Sequence, residues 1–533
     1  MSGLDPRRWL RDARRAMARL PSLRIARVPD APALPVRDPW PGDPTRGAHL
    51  LKGELAFAGG VKPLRLGDWA EISGADPLRR HAHGFAWLRD LRALGTDSAR
   101  LRARALVADW IATPAHEALA GQPDVTGARL AAWLGHYDFF AASADDLFRQ
   151  RLMARLVGDA RALAAALPAE EQDARAFTAL KGLIAAAVAL PEQAAFLTRA
   201  LRFLPQEIAR QVRADGSHAE RSPAAHLAAL QELTEIRALL QAAQVPPPPA
   251  LASAIERLGP ALRALRHGDG GLALFNGSTE ETPALIDLAL SQAGRSGRAP
   301  MSLAEGGFQR LQAGRSVIIA DCAPPPPHGL DRFAHAGTLS FEFSVGRDRM
   351  IVNCGAAPAG AAEWRDALRA TAAHSTLVIA DTSSSELRPE GLGRRPEKVE
   401  MQRQEASGAH WLEASHDGWR KPFGAVHRRR LYIAESGEDL RGEDAVEAAT
   451  PQPFTIRFHL HPAVNASLQH DAEAVLLRLP HGGGWRLRAD GARISIEESV
   501  YLGAPEPRRA EQVVLTVDAD GPQLVKWAIT KVG

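Results

Sequence analysis

Between about residues 96 and 295, apolar side chains recur every three or four positions, in stretches such as DSARLRARALVADWIA and AAFLTRALRFLPQEIARQV. That spacing lays one apolar stripe along each helix, so the region predicts a series of amphipathic helices. Pro, Gly and Asp mark the breaks. LPEQAAF opens one helix with an early proline, ADGS closes it, and ERSPAAHLAAL starts the next with Ser222 as N-cap and Pro223 at the first helical position. Such short turns join successive helices as antiparallel hairpins. The prolines from Pro246 to Pro249 stiffen a connector before a further helix, SAIERLGPALRALR.

After about residue 300 the period changes to two. RSVIIAD, TLSFEFSVG, RMIVNCG, STLVIAD, HWLEAS, RRLYIAE, FTIRFHLHP, AVLLRLP, WRLRADG, ARISIEES and VVLTVDAD alternate apolar and polar residues between turn signals. Many short strands of this kind predict an antiparallel β-sandwich. A run of strands after a run of helices means separate α and β domains rather than an α/β sheet. The expected organisation is an N-terminal extension over 1–75, a helical domain over 76–298 and a sandwich over 299–533.

Composition narrows the picture. At 533 residues the chain is too long for one core. Its net charge is only +3, with arginines spread along the sequence and no basic block of the kind that tracks nucleic acid. Cys322 and Cys354 are the two cysteines, which excludes a disulfide framework; they read as two buried small apolar side chains, with a single bridge between their neighbouring strands as the alternative. The N-terminal MSGLDPRRWLRDARRAMARLPSLRIARV interrupts every apolar run with charge, so no secretory h-region is legible, and it reads as a surface helix. No stretch reaches the length of a membrane span. No P-loop, GxGxxG or HExxH occurs, so no nucleotide cofactor is expected.

Candidate chemistry concentrates in residues 335–376, where His335, Asn353 and His374 fall at or beside predicted strand ends. Three such donors from neighbouring strands suit a metal ion. The segments HAHGFAWLRDL, DVTGARLAAW, ADGSHAERSP, HDGW and VHRRRLY, with this one, resemble the heparinase II/III-like polysaccharide lyases. In that family a His-Ala-Asp, an Asp-Pro-Gly and a His-Asn-Thr recur in this order. The resemblance implies an α/α toroid, an incomplete helical barrel, followed by an antiparallel β-sandwich. It also implies β-elimination on a uronic-acid-containing, anionic polysaccharide, a location at the cell envelope or periplasm, and zinc or another divalent cation on His335, Asn353 and His374. The cytoplasm is the alternative location, given the N-terminus.

The motifs are altered where the chemistry would sit. Gly337 stands in place of the family's motif aspartate and Asn353 in place of its second one, which removes the carboxylate from the metal set. Ala225 occupies the place of the proton-transferring tyrosine, Phe333 that of a histidine, and the segment ARAFTALKGL lacks the family's Asn-His pair. Neither a methyl nor a phenyl group moves a proton. The remaining candidates for catalysis are His218, Arg221 and Tyr137, and those for substrate binding are His81, Trp87, Arg89, Arg129 and Trp133. A non-catalytic relative that keeps the fold to bind a glycan or partner is the alternative.

Three local motifs carry smaller expectations. His459 and His461 in FHLHP share one face of a strand, more as solvent-facing residues than as ligands. HDGW predicts a hairpin turn at Asp417-Gly418 that brings His416 or Asp417 near His427. HGGGW reads as a glycine turn and not an oxyanion hole, because no helix follows.

Overall fold

The computed structural model describes residues 28–532, apart from 71, 115, 169–172, 191–193, 295–296, 358–361, 470–472 and 505. The expected N-terminal surface helix and the early proline of LPEQAAF lie outside the described residues. The chain forms two compact units, residues 1–210 with 229–255 and residues 211–228 with 256–533. The unit that carries the sheets thus begins well before residue 299.

In the first unit the three- and four-residue periodicity yields the helices Asp97–Ala112, Pro123–Gly135, Asp146–Ala166, Arg175–Ala189 and Ala194–Gln211. Thr96 caps the first, its side chain accepting the Ala99 N–H, and Asp145 caps the third through Phe148 N–H. Pro123–Gly135 and Arg175–Ala189 cross at two glycines. A Cβ at Gly127 would lie 2.5 Å from the Thr178 carbonyl oxygen, and one at Gly182 would lie 2.2 Å from that of Gly127. Only glycine permits backbone contact this close. The glycine of DVTGARLAAW therefore serves packing.

Two large antiparallel sheets dominate the second unit, beside a two-stranded one at 387–388 and 391–392. One runs in the order 399–406, 409–419, 425–433, 439–447, 524–532, 484–490, 474–478, 465–469. The other runs 493–501, 508–517, 454–460, 348–352, 341–345, 316–321, 308–313, 302–303, with 377–379 also paired to 454–460. Their inward faces share one core, in which Leu412, Leu431, Trp485 and Trp527 meet Phe341, Phe343, Ile456 and Leu515. This is the expected sandwich of antiparallel strands.

Local expectations fare unevenly. Helix Pro223–Ala242 begins at the expected proline, and Ser222 Oγ accepts the Ala225 N–H at 3.4 Å. The HGGGW glycines form the turn between 474–478 and 484–490, Gly482 and Gly483 both having positive φ. The Asp417-Gly418 turn does not form. Both residues lie inside the strand Ala409–Trp419 at a register shift, and the chain reverses through Arg420–Phe423 and Gly424 instead. A glycine at φ 63 after a single helical turn supplies the reversal that the Asp-Gly signal suggested six residues early. Cys322 and Cys354 are buried and unbridged.

Candidate functional site

The segment 335–376 is organised by hydrogen bonds within the sheet unit. His335 Nδ1 lies 3.0 Å from His374 Nε2, and His374 Nδ1 donates to the Ala370 carbonyl at 2.8 Å. The carbonyl can only accept, so His374 carries its proton on Nδ1, its Nε2 accepts from His335 Nδ1, and His335 Nε2 is left as a bare lone pair. Burial pushes both imidazoles down, His374 to about 4 and His335 well below its usual value, the latter with the neighbouring His374 adding to the effect. At neutral pH the pair is uncharged and weakly basic.

Asn353 is fully buried beside this pair. Its Oδ1 accepts the Ser375 N–H at 3.0 Å, its own N–H donates to Glu342 Oε1 at 2.9 Å, and its Nδ2 has no hydrogen-bond partner among the described residues. A Cβ at Gly337 would fall 2.7 Å from His374 Cδ2, so the imidazole fills the space next to the missing aspartate. The three expected metal ligands are thus a hydrogen-bonded histidine pair and an amide whose oxygen is already engaged. As placed, these donors do not fit a chelated cation. Among the described residues no group of three His, Cys, Asp or Glu side chains stands ready to hold one.

Asn276 links this pair to the ADGSHAERSP turn. Its Oδ1 accepts the His335 N–H at 3.0 Å and its Nδ2 donates to the Arg221 carbonyl at 2.9 Å. Sequence reading missed Asn276, although its positive φ of 47 before Gly277 is the backbone that an Asn-Gly pair favours. Arg221, also at positive φ, sends its guanidinium to Gly306 O at 2.7 Å, Pro324 O at 2.6 Å, Ala323 O at 3.3 Å and the Asp321 carboxylate. Every one of these acceptors belongs to the fold. His218 is buried, its Nε2 3.1 Å from Gln211 Oε1. Asp215 closes the turn by accepting the N–H groups of Ser217, Glu305 and Gly306. Ala225 sits in the first turn of the following helix, and Phe333 is 49% exposed.

The remaining candidates belong to the helical unit. Trp87 and Trp133 are fully buried among Phe85 and Trp110, with Trp87 Nε1 donating to Ala82 O at 3.0 Å. Neither offers a face to a sugar. Arg129 donates to Asp159 at 2.8 Å and to the His83 and Ala120 carbonyls, and lies 4.3 Å over the Trp110 ring. Arg89 pairs with Asp38 at 2.9 Å. His81 stacks on Phe57 at 4.5 Å, and burial followed by the Arg46 and Arg89 charges takes its pKa to about 3. The buried hydroxyl of Tyr137 has no partner among the described residues, and burial raises its pKa. Within ARAFTALKGL, Lys181 lies 3.0 Å from both Glu232 and Glu235, an ion cluster the sequence pattern did not signal.

The other histidine motifs resolve separately. His459 Nδ1 bonds Ser499 Oγ at 2.8 Å and Nε2 meets Ala372 O at 2.9 Å, whereas His461 lies past the strand end near Glu280. His416 and His427 are cross-strand partners with nitrogens 3.4 Å apart, and His427 Nε2 donates to Asp444 at 2.8 Å. His416, His427 and His459 are buried and His461 is half-buried, so the solvent-facing expectation for FHLHP fails at His459.

With helices preceding a two-sheet sandwich and this histidine pair in the strand-end loops, the chain belongs to the heparinase II/III-like family of polysaccharide-lyase fold. Residues 295–528 match the family description "Heparinase II/III-like, C-terminal". The chain is 35% identical over 520 residues to FtsZ-localized protein C of Caulobacter vibrioides, spanning 93% of this chain and 89% of that protein. Its fold is similar to that of heparinase III, with TM-score 0.74 and 14% identity over 98% of this chain and 89% of the other. A heparan sulfate lyase from Pedobacter heparinus gives 0.62 and 16% over 98% and 88%. A chondroitin AC lyase from Streptomyces coelicolor A3 gives 0.56 and 11% over 98% and 82%. No helix among the described residues is long and apolar enough to cross a membrane.

Proposed function

We propose that this chain is a non-catalytic member of its family, which keeps the lyase fold as a binding scaffold and acts beside FtsZ rather than degrading polysaccharide. The observation that carries this reading is the state of the proton-transfer positions. β-Elimination needs a base for the proton next to the uronate carboxylate and an acid for the leaving oxygen. Ala225 and Phe333 supply neither. His218 and Arg221 are committed to buried contacts within the fold, and the His335–His374 pair is neutral and weakly basic.

The relative at 35% identity supports the same reading, since its name places it with FtsZ and not with a polymer substrate. The decisive experiment incubates the purified full chain with heparan sulfate, chondroitin sulfate and polyuronates. The ultraviolet-absorbing unsaturated uronate is the readout, and no product is expected from any of them. A fluorescent fusion is expected to coincide with FtsZ in dividing cells. Enzyme-dependent formation of unsaturated uronate would overturn the proposal.

A further inference from the structure

The two large sheets differ in what lies on their outer faces. On the nine-stranded sheet, Phe308, Val317 and Ile319 cluster with the buried Ala261, Leu265 and Phe275 of the same unit. The eight-stranded sheet instead bears an open groove of about 890 Å³. Along it Trp411 is 41% exposed, and its ring lies 4.9 Å from that of Tyr432. Adjacent aromatic rings left open to water mark a surface that another molecule covers.

The strand register fixes the chemistry of that surface. In one row across the strands Gln402 pairs with Glu413, Glu413 with Arg430, Arg430 with Glu443, Glu443 with Lys526, and Lys526 with Asp490. Direct cross-strand partners project from the same face, so the charges of this row alternate in sign. The next row, two residues along each strand, holds Gln404, Trp411, Tyr432, Arg441, Ala528 and Arg488 in the same strand order. Arg430 reaches Glu413 at 3.0 Å and Glu443 at 2.9 Å, and Arg441 reaches Asp439 at 2.7 Å. The groove therefore does not select an occupant of one sign.

A row of alternating charge is complementary to a copy of itself. Consider a two-fold axis that runs parallel to the strands, between two such faces, and midway between strands 425–433 and 439–447. Each strand is then opposed by the one at equal distance on the other side of the axis. Glu413 faces Lys526 of the second copy, Arg430 faces its Glu443, and Gln402 faces its Asp490. In the neighbouring row Trp411 covers the small Ala528, Tyr432 meets Arg441, and Gln404 meets Arg488. Neither row opposes like charges, which is the electrostatic match a specific interface requires. Shape follows the same operation, because a sheet with the usual twist is a saddle that coincides with itself when turned about a line along its strands. The strands from 399–406 to 484–490 span roughly 24 Å, and the nine-residue strands among them run roughly 30 Å. A face of roughly 700 Å² per copy is on the scale of a standard stable interface. We infer that the outer face of the eight-stranded sheet is the interface of a symmetric dimer of this chain, built by Trp411, Glu413, Arg430, Glu443, Lys526 and Ala528.

Sedimentation of the full chain over a range of concentrations is the test. A mass of two chains is expected, with dissociation increasing at high salt. Lys526→Glu sets a carboxylate against Glu413 of the second copy, and Glu413→Lys sets an ammonium against its Lys526. Each variant alone is expected to raise the dissociation constant at least about tenfold. Mixed in equal amounts, the two variants oppose lysine to glutamate at both contacts, and the two-chain mass is expected to return. Ala528→Glu fills the place beneath Trp411 of the second copy while standing between Arg441 and Arg488 of its own chain, and is expected to sediment as a single chain. Unfolding midpoints near that of the parent show that each variant folds, and Ala528→Glu carries the test should the charge reversals disturb the sheet. Three results overturn the inference: the parent sediments as a single chain at every concentration, the folded variants keep the parent's dissociation constant, or the mixture of folded variants remains single chains. None of these outcomes depends on whether the chain cleaves polysaccharide, so the two proposals fail separately.

Discussion

His335 Nδ1 donates to His374 Nε2 across 3.0 Å, and the direction of that bond is set by His374 Nδ1 donating to the Ala370 carbonyl. The proton between the rings occupies the position that a shared cation would need. We therefore predict that the purified protein carries less than one equivalent of zinc and that added zinc leaves its melting temperature unchanged. Elemental analysis of the parent, His335→Ala and His374→Ala decides the matter. Stoichiometric metal that disappears in both variants would show that the pair opens into a chelate.

The same burial makes the fold sensitive to acid. His374 is held to about 4, His226 to about 4 and His459 to about 3, each chiefly by burial of its ring, while unfolded histidines titrate near 6.5. Below that value the unfolded chain binds more protons than the folded one, so stability falls as pH drops from 6.5 toward 4 and rises again with pH. His374 alone contributes on the order of 3 kcal/mol to this slope. Urea midpoints measured from pH 7 to pH 4.5 should decline steadily, and His374→Gln should flatten part of the decline. A midpoint independent of pH over that range would contradict it.

Tyr137 provides a test that separates chemistry from packing. Its hydroxyl is buried with no partner among the described residues, and burial raises its pKa, so the phenolate needed for a base is disfavoured. Replacing it by phenylalanine removes an uncompensated polar group. Tyr137→Phe should leave stability unchanged or increase it by up to about 1 kcal/mol. Chemical denaturation measures this directly, and a clear loss of stability would show that the Tyr137 hydroxyl is hydrogen-bonded in the folded protein, against the prediction.

How much of this was legible in the sequence depends on the range of the interaction. The helices and strands were, because the apolar period is local. Asp97–Ala112 is bounded as DSARLRARALVADWIA suggests, and the strand-rich half begins where the period changes. The altered motifs were also legible, since Ala225, Phe333 and Gly337 are single-position facts. The partners of the polar residues were not. Arg221 meets Asp321 a hundred positions away, His335 meets Asn276, and Lys181 meets Glu232 and Glu235 from another helix. Polar residues in a turn look available until their distant acceptors are known. Trp87 and Trp133 misled for a related reason, because helical spacing does not say whether an aromatic stripe faces a cleft or other aromatics. The reversal at Gly424 shows the limit of turn signals, since Asp417-Gly418 forms an irregularity inside a strand whose pairing resumes at Trp419 with Ala425.

Arg221 offers the sharpest separation of a structural from a substrate-binding role. Its guanidinium bonds three backbone carbonyls and the buried Asp321 carboxylate. Burial raises the Asp321 pKa, and Arg221 works against that rise. Arg221→Ala strands an ionised carboxylate in the interior, at a cost of about 3–5 kcal/mol near neutral pH. Arg221→Lys should cost less, since it keeps the charge and loses only the forked geometry. The pH dependence supplies the discriminating readout. As pH falls, the buried Asp321 of the folded alanine variant takes up a proton while the unfolded chain, with an ordinary aspartate, is still largely ionised, so the difference in stability between parent and variant should shrink from pH 8 to pH 4. A residue whose guanidinium met a ligand would behave otherwise, with Arg221→Ala lowering affinity at an unchanged unfolding midpoint at every pH.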